Sequence, residues 1–484
     1  MKTLHEKRSG DRKNMKINTN EYIEFFDFSL EKSLTHRRFK HVDIEQLIDQ
    51  KRTNATLDVL QIGESFEGKS IYELKYGKGD KKVMMWSQMH GNEATATMAL
   101  FDLFNFLESG EGKAATIRSF LQEKLTIHFI PMLNPDGSDK FERRNAELID
   151  INRDARATKT QEGKLLKKRA LKIRPDFAFN LHDQNIYYNV PGTQNPVSIS
   201  LLAPAYNENR NINSVRKSAM QLIGSIHKLL QKFIPHAVAK YDDTHSPRGF
   251  GDNFQRWGAS TILVESGAMK GDREKQEIRK LNFILLLHAL IEIAKESYTQ
   301  YSIQDYERIP FNASQLHDLV LRNVTVEKEN GKSFTTDLAI RQEELTVDRD
   351  YYVRGEIFDI GDLRDEYGYT DKDMQGLTFC RGKIHTEKAI RMAELTNELV
   401  YDFLREGYLA LQVCDGSLNG KHLHSYPIEI FTSNRKPELL TQPILEGSAS
   451  FFLKDKERLR FAIVNGYLID LEKRIAPKVK NNIF

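Results

Sequence analysis

Four polar clusters interrupt the apolar runs in the first part of the chain, and their residue types suit metal-assisted hydrolysis. They are His90-Gly91-Asn92-Glu93, Asn134-Pro135-Asp136-Gly137, His182-Asp183 and Glu265-Ser266-Gly267. Zinc prefers imidazole and carboxylate ligands, and a catalytic site uses three of them plus water. His90 and Glu93 are separated by one short glycine-containing turn and can reach the same ion, and His182 offers the third ligand. A water in the remaining position would have its pKa lowered toward about 7. Glu265 can then take that proton as general base and pass it to the leaving amine.

The elements that must position these groups can be read from the neighbouring runs. Val83–Met89, Leu125–Ile130, Asp176–Leu181 and Thr261–Val264 read as strands, and each ends at one of the four clusters. Thr95 to Leu107 carries Leu100, Leu103, Phe104 and Leu107 at helical spacing. Such alternation predicts an α/β fold: a mixed, mostly parallel sheet with helices on both faces. In an open sheet of this kind the C-terminal strand ends share one crevice, so clusters distant in sequence converge there. The basic stretch Lys159–Lys172 is read as a helix with one solvated face, not as an attractor of acidic substrates.

Three regions are expected. Residues 1–20 read as a disordered tail, with Met15 an alternative start; 21–298 form the catalytic domain; 299–484 form a β-rich accessory domain. The last is inferred from Asp318–Val326, Asp337–Arg341 and Gly376–Thr378, with a turn at Asn330-Gly331 and one helix near 386–406. It shows no ligand cluster, since His385 stands alone and His422 and His424 flank a leucine.

Composition narrows the function classes. A net charge of +3, with basic and acidic residues interspersed, leaves no nucleic-acid footprint. No window reaches the ~20 apolar residues of a membrane span, and Phe283–Ala294 reads as a buried helix. The two cysteines, Cys380 and Cys414, build no disulfide framework. The N-terminus has no signal-like apolar stretch, so a cytoplasmic protein is expected, and residues 21–60 are too short for a long pro-domain, so one made in active form is expected.

Over residues 60–299 the order His-x-x-Glu, then a distant His, then Glu resembles the carboxypeptidase A-like zinc metallocarboxypeptidase family. Asn134–Gly137 and Asp150-Ile151-Asn152-Arg153 match further segments of that family. The resemblance implies one Zn²⁺ per chain and a peptide substrate with a free C-terminal carboxylate. It implies that Asn152 and Arg153 grip this carboxylate, a task suited to a planar guanidinium. It assigns Arg143 to the oxyanion of the tetrahedral intermediate, with Arg144 as the fallback. Asp150 would orient His90 through a hydrogen bond.

The chain departs from the family pattern at one point. The family's active-site tyrosine should fall near Thr244 or His245; Tyr241 is out of register and is not assigned. The specificity pocket is expected among Phe250, Asp252, Phe254 and Trp257. Two other functions share features of this pattern. N-acyl-amino-acid amidohydrolases of the desuccinylase and aspartoacylase type use the same zinc core. A binding module that had lost turnover would lack a catalytic part, whereas Arg143, Asn152, Arg153 and Glu265 are all present.

Overall fold

The structure is a computed structural model that describes residues 16–414, 422–432 and 436–484. Residues 1–15, which hold most of the expected tail and Met15, lie outside the described residues. The remainder of that expected tail is ordered: the Asn18 side chain accepts the Glu21 N–H and opens helix α1, Thr19–Ser29.

The chain divides into two compact units. One runs to Pro191 and resumes over Asn195–Ser314; the other takes Gly192–Gln194 and Gln315–Phe484. The first unit thus extends past the expected limit at 298. Tyr306 is buried there, with its hydroxyl accepting the Ala203 N–H, and the carbonyl of Pro310 accepts the N–H of Lys240.

The first unit is built on eight strands: β1 (Asp58–Glu64), β2 (Ser70–Gly77), β3 (Lys81–Trp86), β4 (Leu125–Ile130), β5 (Phe177–Asp183), β6 (Ile199–Leu202), β7 (Val238–Lys240) and β8 (Ser260–Ser266). Their order is β1-β2-β4-β3-β5-β8-β6-β7. The central four, β4-β3-β5-β8, are parallel, and antiparallel pairings join the flanks. The sheet is therefore mixed with a parallel centre, as the alternating pattern predicts. Residue parity divides its two faces. Val83 and Met85 point into the core shared with helix α2 (Thr95–Glu108), while Met84 and Trp86 point to the opposite core. That second core holds Leu166 and Ala170 of α3 (Gln161–Ile173), whose Lys164, Lys168 and Lys172 are exposed while Lys167 is half-buried. Helix α4 (Ser214–Leu230) packs on the α2 side. Helix α5 (Phe250–Arg256) lies on the α3 side, and α6 (Gln276–Lys295) fills the first core with Phe283, Leu286 and Leu290. Among the described residues no helix is long and apolar enough to cross a membrane.

The second unit is β-rich. Long antiparallel strands Leu316–Glu327, Ser333–Val347 and Asp350–Gly361 belong to an eight-stranded sheet. The first two meet at the predicted turn, where Gly331 has φ 77°. A five-stranded sheet accompanies it. The helix expected near 386–406 is shorter than predicted. Lys383–Ile390 is a strand paired with Tyr408–Val413, and only Asn397–Arg405 is α-helical. Thr396 caps that helix by accepting the Leu399 N–H, which fixes its start well inside the predicted range.

Candidate active site

The turn after β3 is set by a close backbone approach. A Cβ on Gly91 would lie 2.0 Å from the carbonyl carbon of Gly137, so only glycine fits where the His90–Glu93 turn meets the short helix Pro135–Lys140. Gln88 takes a left-handed φ of 44°, and its amide donates to the Gly91 carbonyl and to Ser138 Oγ, both at 2.9 Å. The turn is thereby held rigid before α2 begins. His182 is the penultimate residue of β5, and Glu265 lies directly beside it in the parallel register of β8.

These elements bring three side chains to one point. His90 Nδ1 is 2.7 Å from Glu93 Oε1, His182 Nδ1 is 2.6 Å from Glu93 Oε2, and the two Nδ1 atoms are 3.1 Å apart. All three residues are buried, and they are the one His/Cys/Asp/Glu group of metal-binding geometry among the described residues. Tetrahedral zinc with bonds of about 2.0–2.1 Å spaces its ligands by about 3.3 Å. The donor set suits such an ion, and the observed spacings of 2.6, 2.7 and 3.1 Å are each shorter than that value by less than about 1 Å. Asp150 Oδ1 lies 3.0 Å from His90 Nε2. Accepting the Nε2 proton would leave the Nδ1 lone pair facing the cage. The Asp150 carboxylate is itself fixed by the Asn152 N–H at 2.9 Å.

The electrostatics divide the two glutamates. Burial raises the pKa of Glu93, yet the adjacent His90 and His182 outweigh it and hold the carboxyl well below its usual range. Glu265 is pushed well above its usual range, first by burial and then by the charges of Glu93 and Asp183. Two carboxylates with opposite shifts in one site match the split between a ligand and a proton carrier.

The arginines separate clearly. Arg143 donates to Glu93 Oε1 at 3.1 Å and to Asp150 Oδ2 at 3.0 Å, so its guanidinium reaches the cage. Arg144 instead donates to the Leu148 carbonyl at 2.9 Å and is exposed. Asn152 lies beside His182, with Nδ2 3.4 Å from Nε2, and its Oδ1 accepts the Phe250 N–H at 2.9 Å. Arg153 is exposed on the same short helical turn, Ile151–Arg153, and donates to the Asn152 carbonyl.

Two readings of the sequence change here. Phe250 and Phe254 do not line an open pocket. Both are essentially fully buried, and Phe254 stacks on Trp86 at 4.3 Å, because α5 must bury its apolar stripe against the sheet. Asp252 accepts the Ser246 N–H at 2.8 Å and lies 3.0 Å from His245 Nδ1, anchoring the preceding loop. Tyr241, left unassigned from sequence, stands at the site. It follows β7 directly and packs edge-on against Tyr188 at 5.8 Å. Its pKa is raised by burial and then by the nearby charge of Glu265. One sequence signal was available: Tyr241 comes two residues after the short apolar run Ala237-Val238-Ala239.

Residues 44–182 match the family model described as zinc carboxypeptidase. Carboxypeptidase 2 of Trichophyton rubrum is 31% identical over 105 residues, 21% of this chain and 19% of that protein. Carboxypeptidase D of Rattus norvegicus is 21% identical over 246 residues, covering 44% of this chain and 18% of that protein. The matched region thus spans about a fifth of the length of these relatives. A solved metallo-carboxypeptidase from Burkholderia cenocepacia aligns with a TM-score of 0.43 at 16% identity, over 53% of this chain and 69% of that one. The family match includes His90, Glu93 and His182 and ends before Tyr241 and Glu265. Within the first unit, residues 44–182 are therefore similar to the zinc carboxypeptidase family.

Proposed function

We propose that the protein is a zinc-dependent metallocarboxypeptidase that hydrolyses the C-terminal peptide bond of its substrate, with one zinc ion per chain and Glu265 as general base. The observation that carries this reading is the convergence of His90 Nδ1, Glu93 and His182 Nδ1, with Glu265 paired to His182 across β5 and β8. Bound zinc would supply Lewis acidity, acidifying a water and polarising the scissile carbonyl.

The protein groups would provide the rest. Arg153 and the Asn152 amide hold the substrate's terminal carboxylate, which selects a free C-terminus. Arg143 brings positive charge to the mouth of the cage, where the carbonyl oxygen gains charge during attack. Glu265, whose affinity for a proton is raised by its surroundings, accepts the proton of the attacking water and delivers it to the departing amine. Tyr241 lies close enough to Glu265 for that carboxylate to raise its pKa, and its hydroxyl is a further polar group for the substrate.

Replacing Glu265 with Gln tests the reading. The variant is expected to keep its zinc while kcat falls about 10²–10⁴-fold. Turnover at the wild-type rate would overturn the assignment. A panel of blocked dipeptides and N-acyl amino acids should show cleavage of the peptides. Cleavage confined to the N-acyl set would replace this reading with an amidohydrolase.

A further inference from the structure

Lys275 has no assigned role, yet its environment is costly. Its side chain is 5% exposed, and its backbone adopts a left-handed φ of 53° at the start of α6. Burying an ammonium is unfavourable unless every partner is well placed. Nζ donates to Asp183 Oδ2 at 2.9 Å and to the Ser266 carbonyl at 3.0 Å. Asp183 is the neighbour of His182, and Ser266 is the neighbour of Glu265. The same Asp183 Oδ2 accepts a hydrogen bond from the Thr95 hydroxyl at 2.6 Å, and Thr95 is the first residue of α2, two residues after Glu93. The Asp183 N–H in turn donates to Glu93 Oε2 at 3.2 Å.

One ammonium therefore links all three segments that carry the cage and the base: the turn before α2, the end of β5 and the end of β8. The sheet does not need this link for its pairing, because β5 and β8 are already hydrogen-bonded along their length. We infer that Lys275 is a positioning residue: through Asp183 and Ser266 it fixes the metal cage relative to Glu265. This rests on the zinc-peptidase reading above, and Lys275 itself touches neither substrate nor metal ligand.

The test uses the full chain, loaded with zinc or with cobalt(II), carrying K275M, K275R, D183N or K275M together with D183N. K275M is expected to fold and bind metal, with kcat reduced about 10–100-fold and KM nearly unchanged, the size of effect seen when groups that orient a metal site are removed. The visible spectrum of its cobalt form should differ from wild type, and K275R should recover part of both. Because the two residues act as one unit, the double variant should lose little more than K275M alone. Wild-type kcat and an unchanged cobalt spectrum in K275M would overturn the inference, as would losses that multiply in the double variant. If K275M does not fold, D183N and K275R carry the same comparison. A wild-type chain without peptidase turnover would sink the proposed function; the cobalt spectra would still decide whether Lys275 shapes the cage.

Discussion

Two clusters of buried polar groups, one in each unit, are built in opposite ways. In the first, His90, Glu93 and His182 point their donor atoms at one another and at a common centre, with Arg143 and Asp150 at its edge. In the second, Glu429 is buried and bonded to Ser450 Oγ, which accepts the Asn465 N–H; the Asn465 amide then donates to Asn481 at 3.1 Å. That network runs on through the Asn481 amide to the Tyr426 carbonyl at 3.0 Å, one partner after another and not around a common centre. Buried polar residues thus converge on one point in the first cluster and bond in sequence in the second, and position decides which. The site groups of the first unit sit at or just beyond C-terminal strand ends, where the parallel sheet opens a crevice. Ser450, Asn465 and Asn481 meet where strands of the second unit already pack.

The sharpest way to break this contrast is His182→Ala. The expected outcome is loss of bound zinc, measured by elemental analysis, and peptidase activity at background. Hydrogen exchange in the strands spanning 316–361 should stay at wild-type rates. A variant that kept one zinc per chain would show that the first unit has no privileged centre. Asp150→Ala probes the same centre from one bond further out. Zinc affinity and turnover are expected to fall about 10–100-fold, because His90 loses the acceptor that orients its ring. Competition with a chelator measures the first quantity, and unchanged affinity would remove Asp150 from this role.

Much of the first unit was legible because its chemistry sits where patterns change. A strand that ends in His-Gly-Asn-Glu marks both an element boundary and a candidate ligand pair, and His182 and Glu265 repeat that grammar. Tyr241 was less legible because the sequence was read by register against Glu265. Its strand, Val238–Lys240, is only a short edge piece, and loop length before α5 shifts the count. Phe250 and Phe254 were misread because helical spacing shows an apolar stripe without saying whether it faces a core or a crevice. The stretch 383–405 was misread for a related reason: one apolar pattern covers a strand and a capped helix in succession, and the cap at Thr396 carries the distinction.

The smallest expected effect is a pH dependence of stability that each unit carries through a different histidine. His288 bridges Tyr22 and Ser225 within the first unit, at 2.9 Å on each side, and burial pushes its pKa down to about 4. In the second unit burial, then Arg341, pushes His317 down to about 4. A histidine whose folded pKa is depressed contributes stability above its unfolded pKa of about 6.5 and loses it as pH falls toward the folded value. Each residue should therefore cost its unit about 1 kcal/mol between pH 7 and pH 5.5. Both tryptophans, Trp86 and Trp257, lie in the first unit, so their fluorescence reports its unfolding alone. His288→Gln should flatten the acid slope of that fluorescence transition, while His317→Gln should leave it unchanged and flatten only the exchange-detected opening of the second unit. Equal effects of both variants on the fluorescence transition would mean that the two units unfold as one, and the contrast between them would then hold for their chemistry but not for their stability.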